Sequence, residues 1–180
     1  SYLIHIDTLF SRARYAQAIN ALLPIFSDRQ ELELKNAFHP LLYRTHQLEN
    51  KKTFPQDIHL NPESRIVVIS GPNAGGKSIT LKTVGLLQLM LQSGMLIPVH
   101  EKSRVCCFDS ILTDIGDNQS IENHLSTYSY RLKNMKGFLK KCDDKTLFLI
   151  DEFGTGSDPE LGGALAEVIL EDFYERKSFG

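Results

Sequence analysis

The sequence predicts an α/β fold, a mixed or parallel sheet flanked by helices, and two stretches carry that expectation. The apolar run Ile66-Val-Val-Ile69 leads into a glycine-rich turn, and an apolar helical pattern over 79–91 follows directly. Further on, Thr146-Leu-Phe-Leu-Ile150 reads as a buried strand ending in Asp151-Glu152, with another helical pattern over 160–174 behind it. Strand, turn and helix in that succession build parallel sheets, which gather polar groups beyond the carboxyl ends of their strands.

From the amino terminus, Leu9, Phe10, Ala13, Ala16, Ile19, Leu22 and Leu23 recur at helical spacing, with Arg12, Arg14, Gln17 and Asn20 between them. This predicts an amphipathic helix over 7–23, capped by Asp7 and stopped by Pro24. Residues 32–35, 43–48 and 57–60 read as short strands, and Asn61-Pro-Glu-Ser64 as a turn. Gly94 suits the left-handed residue that closes the helix over 79–91. Residues 95–99, 105–108 and 110–115 read as further strands, 116–123 as a polar turn, and 125–141 as a helix. Gly154-Thr-Gly-Ser-Asp-Pro159 forms a rigid loop, with Asp158 as cap and Pro159 at the first position of the last helix. That helix is expected to bury Leu161, Leu165, Val168 and Ile169.

The 180 residues fit one domain with a small appendage, and 42% apolar content supports a core. A net charge of −2 is not the electrostatic footprint of a duplex-gripping surface. Lys133, Lys136, Lys140 and Lys141 recur at helical spacing and read as a solvated face. Cys106, Cys107 and Cys142 form no C-x-x-C pair, which suits a reducing, cytoplasmic setting. No apolar run approaches the length of a membrane span, so no membrane partner is expected.

The turn after Ile69 has a defined chemistry. Gly71-Pro-Asn-Ala-Gly-Gly-Lys77-Ser78 matches G-x-x-x-x-G-K-[ST]. Gly75 and Gly76 lack Cβ, so their amides approach phosphate oxygens closely. The helix that begins near Lys77 adds free N–H groups and the positive end of its dipole. Lys77 would reach the β- and γ-phosphates, and the Ser78 hydroxyl would ligate Mg²⁺. Asp151 would hold that ion through water, and Glu152 would orient and polarise an attacking water, extended geometry pointing the two acids to opposite faces. Either half alone admits a plainer reading, a glycine turn or a solvated strand end. Together they point to a nucleoside triphosphate held by Gly71, Pro72, Asn73, Ala74, Gly75, Gly76, Lys77, Ser78 and Ile79.

A resemblance sharpens this. The phosphate loop, Asp114-Ile-Gly-Asp-Asn-Gln-Ser120, Leu125-Ser-Thr-Tyr128 and Asp151-Glu-Phe-Gly-Thr-Gly-Ser-Asp-Pro159 occur in this order. Together they resemble the ATPase domain of the MutS family, and Ala37-Phe-His-Pro-Leu-Leu42 resembles the His-Pro element upstream of that family's loop. The likeness covers about 38–170 and looks closest to the second bacterial branch, whose full-length members carry an Smr domain.

The resemblance implies an ABC-type P-loop ATPase that binds ATP with Mg²⁺ and works as a homodimer. Two nucleotides would lie between subunits, each closed by the partner's Ser126-Thr127, although that pair also reads as a plain helix cap. Asn73 would place the γ-phosphate or the water, Ser157 and Asp158 would sit at the dimer seam, and Phe54 or a neighbour would meet adenine. His39 reads as structural. The transporter string L-S-G-G-Q is absent, which counts against a transporter. Residues 1–26 are expected to be the end of a lever helix, and 27–180 an ATPase domain cut before its last strands. The family's γ-phosphate-sensing histidine would lie beyond Gly180, so the isolated chain is expected to hydrolyse ATP slowly or not at all. The expected role is to couple nucleotide state to a clamp on mismatched or branched DNA in repair or recombination. The alternatives are a nucleotide-gated dimerisation module with little turnover, and an ATPase that acts on ribosomes.

Overall fold

Helices and strands are interspersed along the chain, as the α/β expectation requires. The computed structural model describes residues 2–71, 76–116, 124–152 and 159–180, with backbone alone for 124–130 and 159. Among the described residues are five helices and six strands, divided between two compact units. The first comprises residues up to His59 and Lys82–Cys107, the second Leu60–Leu81 and Phe108–Gly180.

The first unit opens with α1 (Tyr2–Ala18), longer at its start than expected, so Asp7 lies within the helix instead of capping it. β1 (Ile25–Phe26), β2 (Leu32–Ala37), β3 (Gln56–Leu60) and β4 (Arg104–Val105) form a mixed sheet in the order β1-β4-β2-β3. β4 runs parallel to β1 and antiparallel to β2. Alternation fixes the faces of β2: Leu32 and Leu34 are buried, while Glu33 and Lys35 pair at 3.0 Å on the other side.

Two of the expected strands are not found in this unit. Residues 43–48 belong to α2 (Pro40–Leu48), because His39 caps its start and Pro40 takes a first-turn position where its missing N–H costs nothing. Residues 95–99 supply only a bridge from Ile97 to Leu22, since Pro98 cannot donate to a ladder. The strand expected over 105–108 shrinks to β4, which ends at Val105.

Helix α3 (Lys77–Gln92) starts in the second unit and continues in the first. It ends as anticipated: Gly94 adopts φ +74°, and the Met95 amide returns to the Met90 carbonyl at 2.9 Å.

In the second unit, β5 (Ser110–Asp114) pairs in parallel with β6 (Thr146–Ile150), Asp114 opposite Ile150. Leu147 bridges Phe179 in parallel on the other side. The Gly180 amide then donates to the Arg65 carbonyl at 3.0 Å, and the Val67 amide to the Gly180 carbonyl at 2.8 Å. That is the bond pattern of a parallel pair, so the run into the phosphate loop joins the sheet at 65–67 although it forms no regular strand over 66–69.

Helices α4 (His124–Lys141) and α5 (Pro159–Glu175) cover this sheet. Met135, Cys142, Phe148, Ile169 and Phe173 form the core, and Phe148 and Phe173 stack at 4.2 Å. Leu161 and Val168, expected inside, are each 61% exposed; the buried line on α5 runs through Ile169 and Phe173, flanked by Leu165.

Candidate functional site

The local sequence explains how the loop is held. Gly76 has φ +81°, a conformation that favours glycine, and a Cβ there would crowd the Ile79 side chain at 3.2 Å. Lys77 then opens α3, and its ammonium donates to the Gly71 carbonyl across the base of the loop. The Thr80 hydroxyl donates to the Gly76 carbonyl at 3.1 Å and secures the first turn. Ser78 and Ile79 follow Lys77 in that turn, both half-buried. Pro72, Asn73, Ala74 and Gly75 lie outside the described residues, as do Ser157 and Asp158.

The acids arrive from β6. The Asp151 amide donates to the Asp114 carbonyl at 2.9 Å, which carries the parallel pairing one residue past the strand. There extended geometry stops. Glu152 has φ +50°, a left-handed conformation that costs a non-glycine residue about 1–3 kcal/mol. Its amide donates to Asp151 Oδ1 at 3.0 Å. The opposite-face arrangement expected of extended acids is therefore corrected: the chain turns between them, and both line one cleft with Gly71 and Lys77.

That cleft has a volume of about 400 Å³. Its apolar floor (Val67, Val68, Ile69, Phe148 and Ile150) lies along the sheet beside Gly180. Its polar groups sit beyond the carboxyl ends of two parallel segments, where ligands of open α/β sheets are held. At that edge the Lys77 ammonium can pair with a phosphate oxygen, and the two carboxylates can carry a hard metal ion and accept a proton from water.

Two neighbours escaped the sequence reading. Asp114 supports Asp151 through its carbonyl, and Arg131 of α4 reaches Glu152 with two N–H groups. The Asp114 string carried part of the resemblance but no assigned contact. Arg131 had no local signal, because only the placement of α4 shows where it points. Ser126 and Thr127 are the third and fourth residues of α4, described by backbone alone.

His39 belongs to a cap. Its Nδ1 accepts from the Leu42 amide at 3.4 Å, and burial, then the Lys82 charge, push its pKa below the ordinary value. Phe54 lies in the first unit, 72% exposed, with the Lys52 ammonium 5.1 Å from its ring centroid. Lys133, Lys136, Lys140 and Lys141 are exposed, as a solvated face requires. Cys106 is buried and its thiol is pushed up to about 11 by desolvation, whereas Cys107 is exposed. No helix among the described residues is long and apolar enough to cross a membrane.

Comparison with known proteins agrees with this arrangement of motifs. Residues 67–179 match the family model MutS domain V. A protein named Endonuclease MutS2 from Caldicellulosiruptor saccharolyticus is 46% identical over 98% of this chain and 22% of its own length. Proteins of the same name from Bacillus cytotoxicus and Ligilactobacillus salivarius are 45% and 47% identical, over 96% and 97% of this chain and 21% of theirs. The chain thus spans about a fifth of the length of these curated relatives. With the family model covering most of its residues, the chain belongs to the MutS family through domain V, on the side of the family where the MutS2 proteins stand.

Proposed function

We propose that this chain is the P-loop, ATP-binding and ATP-hydrolysing part of a MutS-type protein of DNA repair or recombination. In this reading residues 27–180 are the ATPase domain and 1–26 the end of a lever. One observation carries the proposal: Lys77, at the start of α3, and Asp151 and Glu152, at the end of β6, line the same cleft.

The donors suit Mg·ATP. Carboxylate and hydroxyl oxygens are the hard donors that Mg²⁺ takes, so the residue types present fit that ion. When bound, the ion neutralises charge on the phosphate oxygens. Lys77 exchanges the Gly71 carbonyl for β- and γ-phosphate oxygens. The amides of Gly76 and of the first turn of α3 add fixed positive ends. Ser78 and Asp151 would hold the metal ion. Asn73 steadies the γ-phosphate or the water. Glu152 accepts a hydrogen bond from that water, aligns it with the γ-phosphorus and takes its proton as the water oxygen bonds to that phosphorus and the bond from it to the β–γ bridging oxygen breaks, ADP leaving with the electron pair, so catalysis rests on position and electrostatics. Ser126 and Thr127, at the positive end of α4, close over the γ-phosphate of a second subunit and make the homodimer depend on nucleotide. Mismatched or branched DNA is the proposed target of the full-length protein.

The test is Mg·ATP titration calorimetry and steady-state turnover on the full-length protein. Lys77→Ala is expected to weaken binding by roughly tenfold to a hundredfold, the loss of one or two charge-assisted hydrogen bonds. Glu152→Gln is expected to keep binding and lower turnover by about 10²–10⁴-fold. Unchanged affinity in the lysine variant would overturn the phosphate assignment. ATP-dependent dimers without turnover in the wild type would favour a nucleotide-gated module, and co-sedimentation with ribosomes but not with branched DNA would replace the target.

A further inference from the structure

Glu152 is held from two sides. Its amide is tied to Asp151 Oδ1 at 3.0 Å. Its carbonyl accepts from Arg131 Nη1 at 3.0 Å, and its carboxylate Oε2 accepts from Nη2 of the same guanidinium at 3.4 Å. The Arg131 side chain is 17% exposed and that of Glu152 42%, so the fork approaches from the protected side and leaves the acid facing the cleft.

One planar group bound to both the backbone and the side chain of a residue fixes how the side chain leaves the backbone. A surface ion pair does not do this: it holds only the charge and contributes little. Here the fork also spans a left-handed residue, φ +50°, which persists only where its surroundings impose it. Arg131 comes from α4, five residues after Ser126, so one rigid helix carries both the segment read as closing the partner's nucleotide and the group that grips the acid.

We propose that Arg131 is a positioning residue for Glu152, holding its turn and aiming its carboxylate at the attacking water. This rests on the reading of Glu152 given above. A misplacement of about 1 Å in such a site costs on the order of a hundredfold in rate without touching the groups that bind substrate. Lysine at this position keeps the charge but loses the fork.

Turnover number and Mg·ATP dissociation constant, measured on the full-length protein, separate the possibilities. Arg131→Ala is expected to lower kcat by about 10- to 100-fold with the dissociation constant within about threefold of wild type, and Arg131→Lys to fall between. In a Glu152→Gln background, Arg131→Ala is expected to cost no further rate, because the two residues act as one unit. A wild-type kcat in Arg131→Ala, or a loss of affinity as large as the loss of rate, would overturn the proposal. If Arg131→Ala does not fold, Arg131→Lys decides: reduced kcat at unchanged affinity supports it, and wild-type kcat sinks it. Full turnover in Glu152→Gln alone would instead remove the assignment of Glu152 itself.

Discussion

At His39 one nitrogen both caps a helix and titrates. Nδ1 can accept from the Leu42 amide only while it carries no proton. Burial and then the Lys82 charge place the folded pKa below the ordinary histidine value of about 6.5, so the folded state prefers the neutral ring. The sign follows. This contribution to stability is complete above the ordinary value and is lost as the pH falls from there through the folded pKa. His39→Asn keeps an acceptor at the cap and removes the titration, so its urea-derived stability is expected to vary less than wild type between about pH 7 and pH 5. His39→Ala is expected to lose about 1 kcal/mol at pH 7.5 through the cap alone. Parallel wild-type and His39→Asn curves would contradict the linkage. The sequence pointed to residues that line the candidate cleft only where chemistry is written in residue type and spacing. Lys77, Asp151 and Glu152 were legible because a glycine loop with a lysine and an acid-tipped strand have few other uses. The grip of Arg131 was not, since the rotation of a helix about its axis is set by packing.

Among the elements, what the chain announces locally was readable and what packing decides was not. The strand of 146–150 is almost wholly apolar and bounded by polar residues, and it appears as β6. The stretch 43–48 misled because Tyr43 and Thr45 favour strands, whereas the decisive signal, a capping His39 before Pro40, lies outside it. The last helix is apolar on more than one side. Periodicity alone could not choose between the line through Leu161 and Val168 and the line through Ile169 and Phe173; contact with β6 chose the second. That choice has a measurable weight. Phe173 is fully buried and stacks on Phe148 at 4.2 Å, so its truncation leaves a cavity beside the strand that delivers the acids. Phe173→Ala is expected to cost about 3–5 kcal/mol, and at a slope near 2 kcal/mol/M to lower the urea midpoint by about 2 M. Val168→Ala, at an exposed position of the same helix, is expected to change stability by no more than about 0.5 kcal/mol. Equal losses would mean that α5 buries a different line.

For the molecule as a whole, charge separates the proposed engine from the proposed grip. Affinity for duplex DNA comes largely from cations that displace condensed counterions, and each phosphate neutralised adds about −0.9 to the slope of log K against log salt. This chain carries 20 basic and 22 acidic residues. A basic run on one helix, Lys133, Lys136, Lys140 and Lys141, is exposed on α4. In the same unit, α5 carries Glu167, Glu171 and Glu175, also exposed, at spacing that places them on one side. Neutralising four phosphates, these lysines would give a slope of about −3.6, short of what 6–10 phosphate contacts give, and the neighbouring acids reduce it further. The chain by itself is therefore expected to bind a 30-base-pair duplex more weakly than about 10⁻⁴ M at 0.15 M salt, with little difference between duplex and four-way junction. Fluorescence anisotropy across about 0.05–0.2 M salt reads both affinity and slope. Submicromolar binding with a slope steeper than about −6 would move DNA recognition into this domain, and the proposed coupling would then no longer have to travel between a nucleotide site here and a clamp elsewhere.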